Sequence, residues 1–143
     1  MRVILLALSL GLIGCSDKPE PPLQVQQAWV RQAPAGSSMT AAYATIYNPS
    51  NQTHELIGVE IDNFRSAEIH ETREVDGVSR MRPVDKLRIE PGSRLELAPG
   101  GLHIMAMGRL DQDESPALMR FVFADGSLIE TRAEWRRRAP ESE

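Results

Sequence analysis

The chain has 143 residues, a formal net charge of −4 at pH 7 and an aromatic content of 5%. This length suits one domain with its own hydrophobic core and is too short for two domains of ordinary size. The mildly acidic balance offers no electrostatic attraction to a polyanion, so the composition argues against nucleic acid as a partner.

The N-terminus reads MRVILLALSLGLIGCS, with one positive charge at Arg2 and an apolar run over residues 3–13. A membrane-spanning helix needs roughly 20 apolar residues, so this run is too short to span but suits the core of a signal peptide. The ending LIGC resembles the lipobox of bacterial lipoproteins, in which the cysteine becomes the acylated first residue. We therefore expect residues 1–14 to be a signal peptide and Cys15 to carry lipid, the alternative being a buried or free thiol.

A lipidated Cys15 would anchor the mature protein to a membrane facing the periplasm and leave no thiolate for catalysis or metal binding. Ser16 after the cysteine, rather than Asp, favours the outer membrane by the usual enterobacterial sorting rule. The prolines and charges of residues 15–22 predict an extended tether. We expect the folded domain to cover residues 23–135. Residues 136–143 would form a solvated tail, whose arginines could alternatively contact anionic lipid head groups.

The domain divides into short segments of alternating or β-rich sequence, separated by turn signals such as Asp-Gly and Pro-Gly-Gly. No segment keeps a helical period of apolar residues over three turns. Many short strands with frequent turns predict an all-β fold, either an antiparallel β-sandwich or a Greek-key barrel. The predicted strands cover residues 24–32, 41–48, 55–61, 67–75, 78–84, 94–98, 102–107, 117–124 and 127–135.

Side-chain alternation separates apolar from polar faces in two of these strands. In residues 102–107, three apolar side chains alternate with His103, Met105 and Met107. The apolar side chains should face the core, so His103 and the two methionines should point outward. The same alternation puts His70 on the polar face of its own strand, so we expect both histidines to face outward.

The Asp-Gly pair at residues 76–77 is a strong signal for a two-residue hairpin turn. With this turn, Thr72 lies opposite Met81, and Met81 shares the face of His70 one diagonal step away. A slip of one residue would move Met81 to the other face.

Two imidazoles and two thioethers are therefore candidates for one site. Mg²⁺ and Ca²⁺ require oxygen ligands, and Zn²⁺ prefers thiolate or carboxylate beside imidazole. Thioether sulfur selects a soft ion, above all Cu(I). A single methionine in a β protein is usually core filler, and a single surface histidine usually has no ligand. The combination of the four predicts a Cu(I) site formed by His70, Met81, His103 and Met105.

The choice between the two methionines near His103 follows from strand geometry. A strand rises roughly 3.3 Å per residue, so Met105 starts about 7 Å from His103 and Met107 about 13 Å away. Side chains standing nearly perpendicular to a sheet converge across the shorter gap more readily than across the longer one. Met105 is therefore the predicted ligand, and Met107 is expected to shield the copper or pack at its rim.

The segment IHETREVDGVSRMRPVDKLRIEPGSRLELAPGGLHIMAMG closely resembles the signature of the PCu(A)C-type periplasmic copper chaperones. In that signature a His is followed by ten residues, a Met, twenty-one residues and then His-x-Met. The matching positions are His70, Met81, His103 and Met105. The likeness extends to AWVRQAPAGSSMTAAYATIYN and PGGLHIM and covers nearly all of the chain from Leu23 onward.

This resemblance implies a cupredoxin-like β-sandwich that binds one Cu(I) near its surface through those four side chains. Members of the family are implicated in delivering copper to the CuA centre of cytochrome c oxidase subunit II, often alongside Sco-type thiol proteins. Some relatives carry a His- and Met-rich C-terminal extension that binds Cu(II). The sequence here ends in WRRRAPESE, which argues against such a second site.

Other functions are less consistent with the sequence. A blue-copper carrier requires a Cys thiolate, and the one cysteine is assigned to the lipid anchor. His54 lies beside Glu55 in a predicted polar loop without an assignable nucleophile, so we expect an ordinary surface histidine and no enzyme activity. Two alternatives stay open, namely copper sequestration for tolerance and a structural or adhesive sandwich that binds no metal. Storage and delivery need the same ligands, so the sequence does not separate them.

Overall fold

The computed structural model describes residues 21–139. The predicted signal peptide, the proposed lipidation site at Cys15 and Ser16 lie outside this range. Within it the chain forms ten strands and no helix, which confirms the predicted all-β class. No helix in residues 21–139 is therefore long and apolar enough to cross a membrane. The strands are β1 (Gln24–Arg31), β2 (Met39–Tyr47), β3 (His54–Ile61), β4 (Phe64–Val75), β5 (Val78–Pro83), β6 (Leu87–Ile89), β7 (Arg94–Leu97), β8 (Leu102–Arg109), β9 (Ala117–Phe123) and β10 (Leu128–Arg136).

Nine of these strands correspond to predicted segments, and β6 was missed. With only three residues in the polar sequence DKLRIE, β6 is too short to show an alternating pattern. It is recognisable only in the fold, where it pairs with the start of β3 and buries Ile89 completely.

The strands follow the hydrogen-bonded order β5-β4-β8-β2-β1-β10-β9-β3-β6, and β7 pairs with the far half of β2. Every pairing is antiparallel except that of β1 with β10, which is parallel. The expected antiparallel sandwich is therefore correct except at this one junction. Two segments more than 100 residues apart meet there, so no turn signal in the sequence announces the pairing.

The core lies between the two halves of this strand order. Large side chains from β2, β3, β8 and β9 are fully buried, among them Ile46, Leu56, Ile104, Phe121 and Phe123. Burying one such side chain contributes about 1.5–3 kcal/mol. Because the apolar residues of β4 and β8 point inward, alternation presents the intervening histidines and methionines on the opposite face.

The β4–β5 hairpin has the predicted turn and register. Asp76 and Gly77 both have positive φ, 54° and 75°, as a type I′ turn requires. Thr72 lies opposite Met81, and His70 lies opposite Pro83. Met81 is thereby on the same face as His70.

Candidate metal centre

The two histidines of the candidate site lie directly opposite each other on neighbouring strands. His70 of β4 pairs with His103 of β8 in the antiparallel register, and their ring centroids are 6.1 Å apart. In this pairing the two side chains share one face of the sheet. The register therefore brings together two residues that are 33 positions apart in the sequence.

Both candidate thioethers lie on the same face. Met105 follows His103 by two positions on β8, and Met81 projects from β5, the edge strand, with 55% of its surface exposed. A pocket of about 230 Å³ opens between them. His70 borders this group through its pairing with His103 and is not one of the pocket residues. The pocket is lined by Arg31, Ala41, Tyr43, Thr72, Met81, Pro99, Gly100, His103 and Met105.

Both histidines lie on the face predicted by alternation, and both are largely shielded from solvent there. His103 is only 5% exposed, and the side chain of His70 is 16% exposed. The backbone N–H of Thr72 donates to the Gly101 carbonyl at 3.1 Å, which holds the turn before β8 beside β4. Pro99 and Gly100 of this turn line the same pocket as His103. Alternation gave the correct face, but it did not show how far each side chain on that face is exposed.

Each histidine ring has one nitrogen engaged by the protein. Nδ1 of His103 lies 3.0 Å from the carbonyl oxygen of Gly101, and Nε2 of His70 lies 3.0 Å from Oε2 of Glu68. Nδ1 of His70 is buried and has no hydrogen-bond partner within residues 21–139. Buried polar atoms without a partner are uncommon, and a bound water or ion is one way in which such an atom is satisfied.

The floor of the pocket carries a neutral phenol beside a guanidinium. Burial raises the pKa of Tyr43 above its ordinary value of 10.0, and the positive charge of Arg31 acts in the opposite direction. The guanidinium carbon of Arg31 lies 5.5 Å from the centre of the Tyr43 ring. Tyr43 therefore stays protonated at neutral pH and contributes no negative charge to the pocket.

The donor set of the candidate site is two imidazoles and two thioethers, and thioether sulfur prefers a soft ion such as Cu(I). No group of three or more His, Cys, Asp or Glu residues that could hold a metal occurs in the part of the chain from 21 to 139.

Met107 lies further along the same face of β8. Its partners in the sheet are Met39 of β2 and Ser66 of β4. Met107 does not line the pocket that holds Met81, His103 and Met105. Its suggested role at the rim of the site stays a prediction.

His54 was expected to be an ordinary surface residue in a polar loop, and this expectation is wrong. It is the first residue of β3, and its side chain is only 22% exposed. Its Nε2 lies 3.2 Å from Oγ of Ser50, its Nδ1 lies 3.7 Å from Oδ2 of Asp125, and its ring packs edge-on against Phe123. Ser50 and Asp125 are 75 residues apart, so only the fold reveals this cluster.

The Ser50, His54 and Asp125 contacts do not make a nucleophilic site. The hydroxyl of Ser50 donates to Oδ1 of Asn48 at 2.7 Å, so its proton is engaged away from His54. Ser50 is 5% exposed and Asn48 is fully buried. A substrate could not reach the hydroxyl, and the cluster is consistent with a structural role.

Comparison with known proteins gives the same fold and identifies the family. The copper-bound PCuAC domain from PmoF2 superposes with a TM-score of 0.66 at 21% identity, covering 85% of this chain and 97% of that domain. The solution structure of CuI-DR1885 from Deinococcus radiodurans gives a TM-score of 0.60 at 25% identity, covering 87% of this chain and 83% of that one. The domain is therefore of the PCuAC-type β class, as the sequence resemblance indicated.

The family model described as "Putative lipoprotein LpqE-like" matches residues 23–134, and the chain belongs to this family. A relative called "Putative lipoprotein Lxx21020", from Leifsonia xyli subsp. xyli, is 38% identical over 113 residues. That alignment covers 71% of this chain and 67% of the relative.

Proposed function

We propose that the protein is a periplasmic copper chaperone that binds one Cu(I) through His70, Met81, His103 and Met105. The observation that carries this proposal is the β4–β8 register, which pairs the two histidines on the face that also bears both methionines. Two structural neighbours, the copper-bound PCuAC domain from PmoF2 and CuI-DR1885, support the same cargo. The copper-binding domain is taken as residues 23–135.

Delivery is favoured over storage by the position of Met81. It lies on the edge strand β5 and is 55% exposed, whereas His103 is 5% exposed. An exposed ligand on an edge strand can be replaced by a donor atom of an approaching protein without disturbing the buried ligands. A storage protein would be expected to enclose its ion on all sides. The proposed acceptor is the CuA centre of cytochrome c oxidase subunit II, with Sco-type proteins as proposed co-partners.

The location follows from the N-terminal sequence. We propose that Cys15 is acylated and anchors the domain to a membrane facing the periplasm, with Ser16 favouring the outer membrane. Membership of a family of lipoproteins supports an anchor. Replacing Cys15 by Ser should release the protein into the soluble fraction or stop its processing. Unchanged membrane association of Cys15→Ser would contradict the anchor.

Metal binding is tested by anaerobic titration against a chromophoric Cu(I) chelator. The wild-type protein should bind one equivalent of Cu(I). Met105→Leu nearly preserves the side-chain volume and removes the sulfur, and it should weaken Cu(I) binding by at least tenfold. Residues that only hydrogen-bond to a metal ligand contribute about 10–100-fold to metal affinity, and a direct ligand should contribute no less. Met107→Leu is the matched control and should change affinity little. The reverse order would mean that Met107 is the ligand, and no binding by the wild-type protein would contradict the proposal.

Delivery is tested with Cu(I)-loaded protein and a soluble, copper-free CuA domain. Cu(I) should transfer to the acceptor, and a one-electron oxidant added after both copper positions hold Cu(I) should then develop the absorption of the mixed-valence centre. Met81→Leu should alter the rate of this transfer more than Met107→Leu does. Retention of all copper by the wild-type protein in the presence of the acceptor would favour sequestration.

A further inference from the structure

The contacts of Glu68 bear on which atoms of the two histidines bind copper. Glu68 precedes His70 by two positions on β4 and therefore lies on the same face of the strand. Its Oε2 is 3.0 Å from Nε2 of His70. An ionised carboxylate only accepts hydrogen bonds, so Nε2 of His70 is the nitrogen that carries hydrogen. In a neutral imidazole the lone pair is then on Nδ1.

The surroundings of Nδ1 leave this atom available to a metal ion. It is buried and has no hydrogen-bond partner in the described part of the chain. The rings of His70 and His103 lie side by side, with 6.1 Å between their centroids. A bound ion is one way in which such a buried polar atom is satisfied.

His103 is held in the opposite tautomer by a backbone group. The carbonyl oxygen of Gly101 can only accept, and it lies 3.0 Å from Nδ1 of His103. Nδ1 therefore donates, which leaves Nε2 with the lone pair. Since Gly101 belongs to the turn that leads into β8, the fold itself orients this ring.

We infer that Glu68 is a positioning residue that holds His70 with hydrogen on Nε2, so that Cu(I) is bound by Nδ1 of His70 and Nε2 of His103. This inference rests on the proposed copper function and deepens it. Glu68 pairs with Met105 in the β4–β8 register and is about half exposed. Its carboxylate acts on copper through the imidazole, because oxygen is a poor ligand for Cu(I). A carboxylate in this position fixes the ring and raises the basicity of the nitrogen that binds metal.

The first test needs no metal. A long-range ¹H–¹⁵N correlation spectrum of the ¹⁵N-labelled, copper-free domain reports the tautomer of each histidine at a pH where the rings are neutral. His70 should show hydrogen on Nε2, and His103 should show hydrogen on Nδ1. Glu68→Ala should shift His70 toward a mixture of tautomers and leave His103 unchanged. Hydrogen on Nδ1 of His70 in the wild-type protein would overturn the inference.

The second test measures Cu(I) affinity. Glu68→Ala should bind one equivalent about 10–100-fold more weakly, the range typical of outer contacts to a metal-bound histidine. Glu68→Gln keeps an oxygen that can accept from Nε2 and should recover part of this loss. The matched control is Glu71→Ala, which removes the same charge from the opposite face of β4, where Glu71 pairs with Arg73 at 2.7 Å.

The two proposals fail in different ways. Wild-type Cu(I) affinity and an unchanged His70 tautomer in Glu68→Ala would overturn the role of Glu68 and leave the copper function in place. Equal losses in Glu68→Ala and Glu71→Ala would also overturn it, since a general charge effect would then explain both. A wild-type protein with the stated tautomers that binds no Cu(I) would overturn the proposed function and, with it, the inference.

Discussion

The histidines of this protein occupy two regions that differ in what their ring nitrogens contact. Both nitrogens of His54 face protein groups, Ser50 on one side and Asp125 on the other. His70 and His103 each have one nitrogen engaged, and Nδ1 of His70 is buried without a partner within residues 21–139. The side chains of His54 and His70 are similarly exposed, 22% and 16%, so burial does not distinguish them. They differ in whether protein groups contact both ring nitrogens.

The region around His54 also contains a buried amide, Asn48, whose hydrogen bonds are all made within the protein. Asn48 is fully buried, donates to the carbonyls of Gln52 and Ile89 at 2.7 and 2.9 Å, and accepts from the N–H and hydroxyl of Ser50. Its polar atoms are satisfied within the protein. This region should therefore control stability, whereas the His70 and His103 region should control copper binding.

The largest expected effect is on Cu(I) affinity, and it should distinguish His70 from His54. His70→Ala removes a proposed ligand and should weaken Cu(I) binding by more than about 100-fold, because even outer contacts of metal-bound histidines are worth about 10–100-fold. His54→Ala should leave the affinity nearly unchanged. Competition titrations under identical conditions provide the measurement. Comparable losses in the two variants would remove the distinction between the regions.

The complementary change is Asn48→Ala. It removes the hydrogen bonds to the carbonyls of Gln52 and Ile89 and those from the N–H and hydroxyl of Ser50, and a buried group left unsatisfied costs about 1–3 kcal/mol. We expect the free energy of unfolding to fall by about 2–4 kcal/mol, measured by urea denaturation of the copper-free domain. The Cu(I) affinity of the fraction that remains folded should be unchanged. A strong loss of affinity with little loss of stability would contradict the account.

The contrast between the regions also explains what the sequence could and could not predict. Alternation and the Asp-Gly turn are local, and they placed Met81 on the face of His70 correctly. The pairing of His103 with His70 joins strands 33 residues apart, and the contacts of His54 depend on Asp125, 71 residues away. Neither leaves a local pattern, because both arise when distant strands come together. The parallel β1–β10 pairing escaped prediction for the same reason.

The smallest expected effect concerns Asp125. Hydrogen bonds from the side chain and backbone of Ser127 lower its pKa below the ordinary value of 3.8, and the charge of a protonated His54 acts in the same direction. Because the pKa of Asp125 is lower in the folded state, its ionised carboxylate stabilises the protein at pH values above 3.8. This contribution is lost as the pH falls through the folded pKa.

Asp125→Asn should therefore lower the free energy of unfolding at pH 7 by less than about 1 kcal/mol, since the carboxylate is largely exposed. The difference from the wild-type protein should disappear once the pH lies below the folded pKa. Urea denaturation curves at a series of pH values would measure it. A difference that grows as the pH decreases would contradict the assigned direction.

The most direct test of the central claim is X-ray absorption spectroscopy of the Cu(I)-loaded domain at the copper edge. The account predicts a first shell of two imidazole nitrogens and two sulfurs in the wild-type protein. Met105→Leu should lose one sulfur, and Met107→Leu should keep both. A wild-type shell of nitrogen and oxygen alone, or loss of a sulfur in Met107→Leu but not in Met105→Leu, would contradict the assignment of His70, Met81, His103 and Met105 as the copper site.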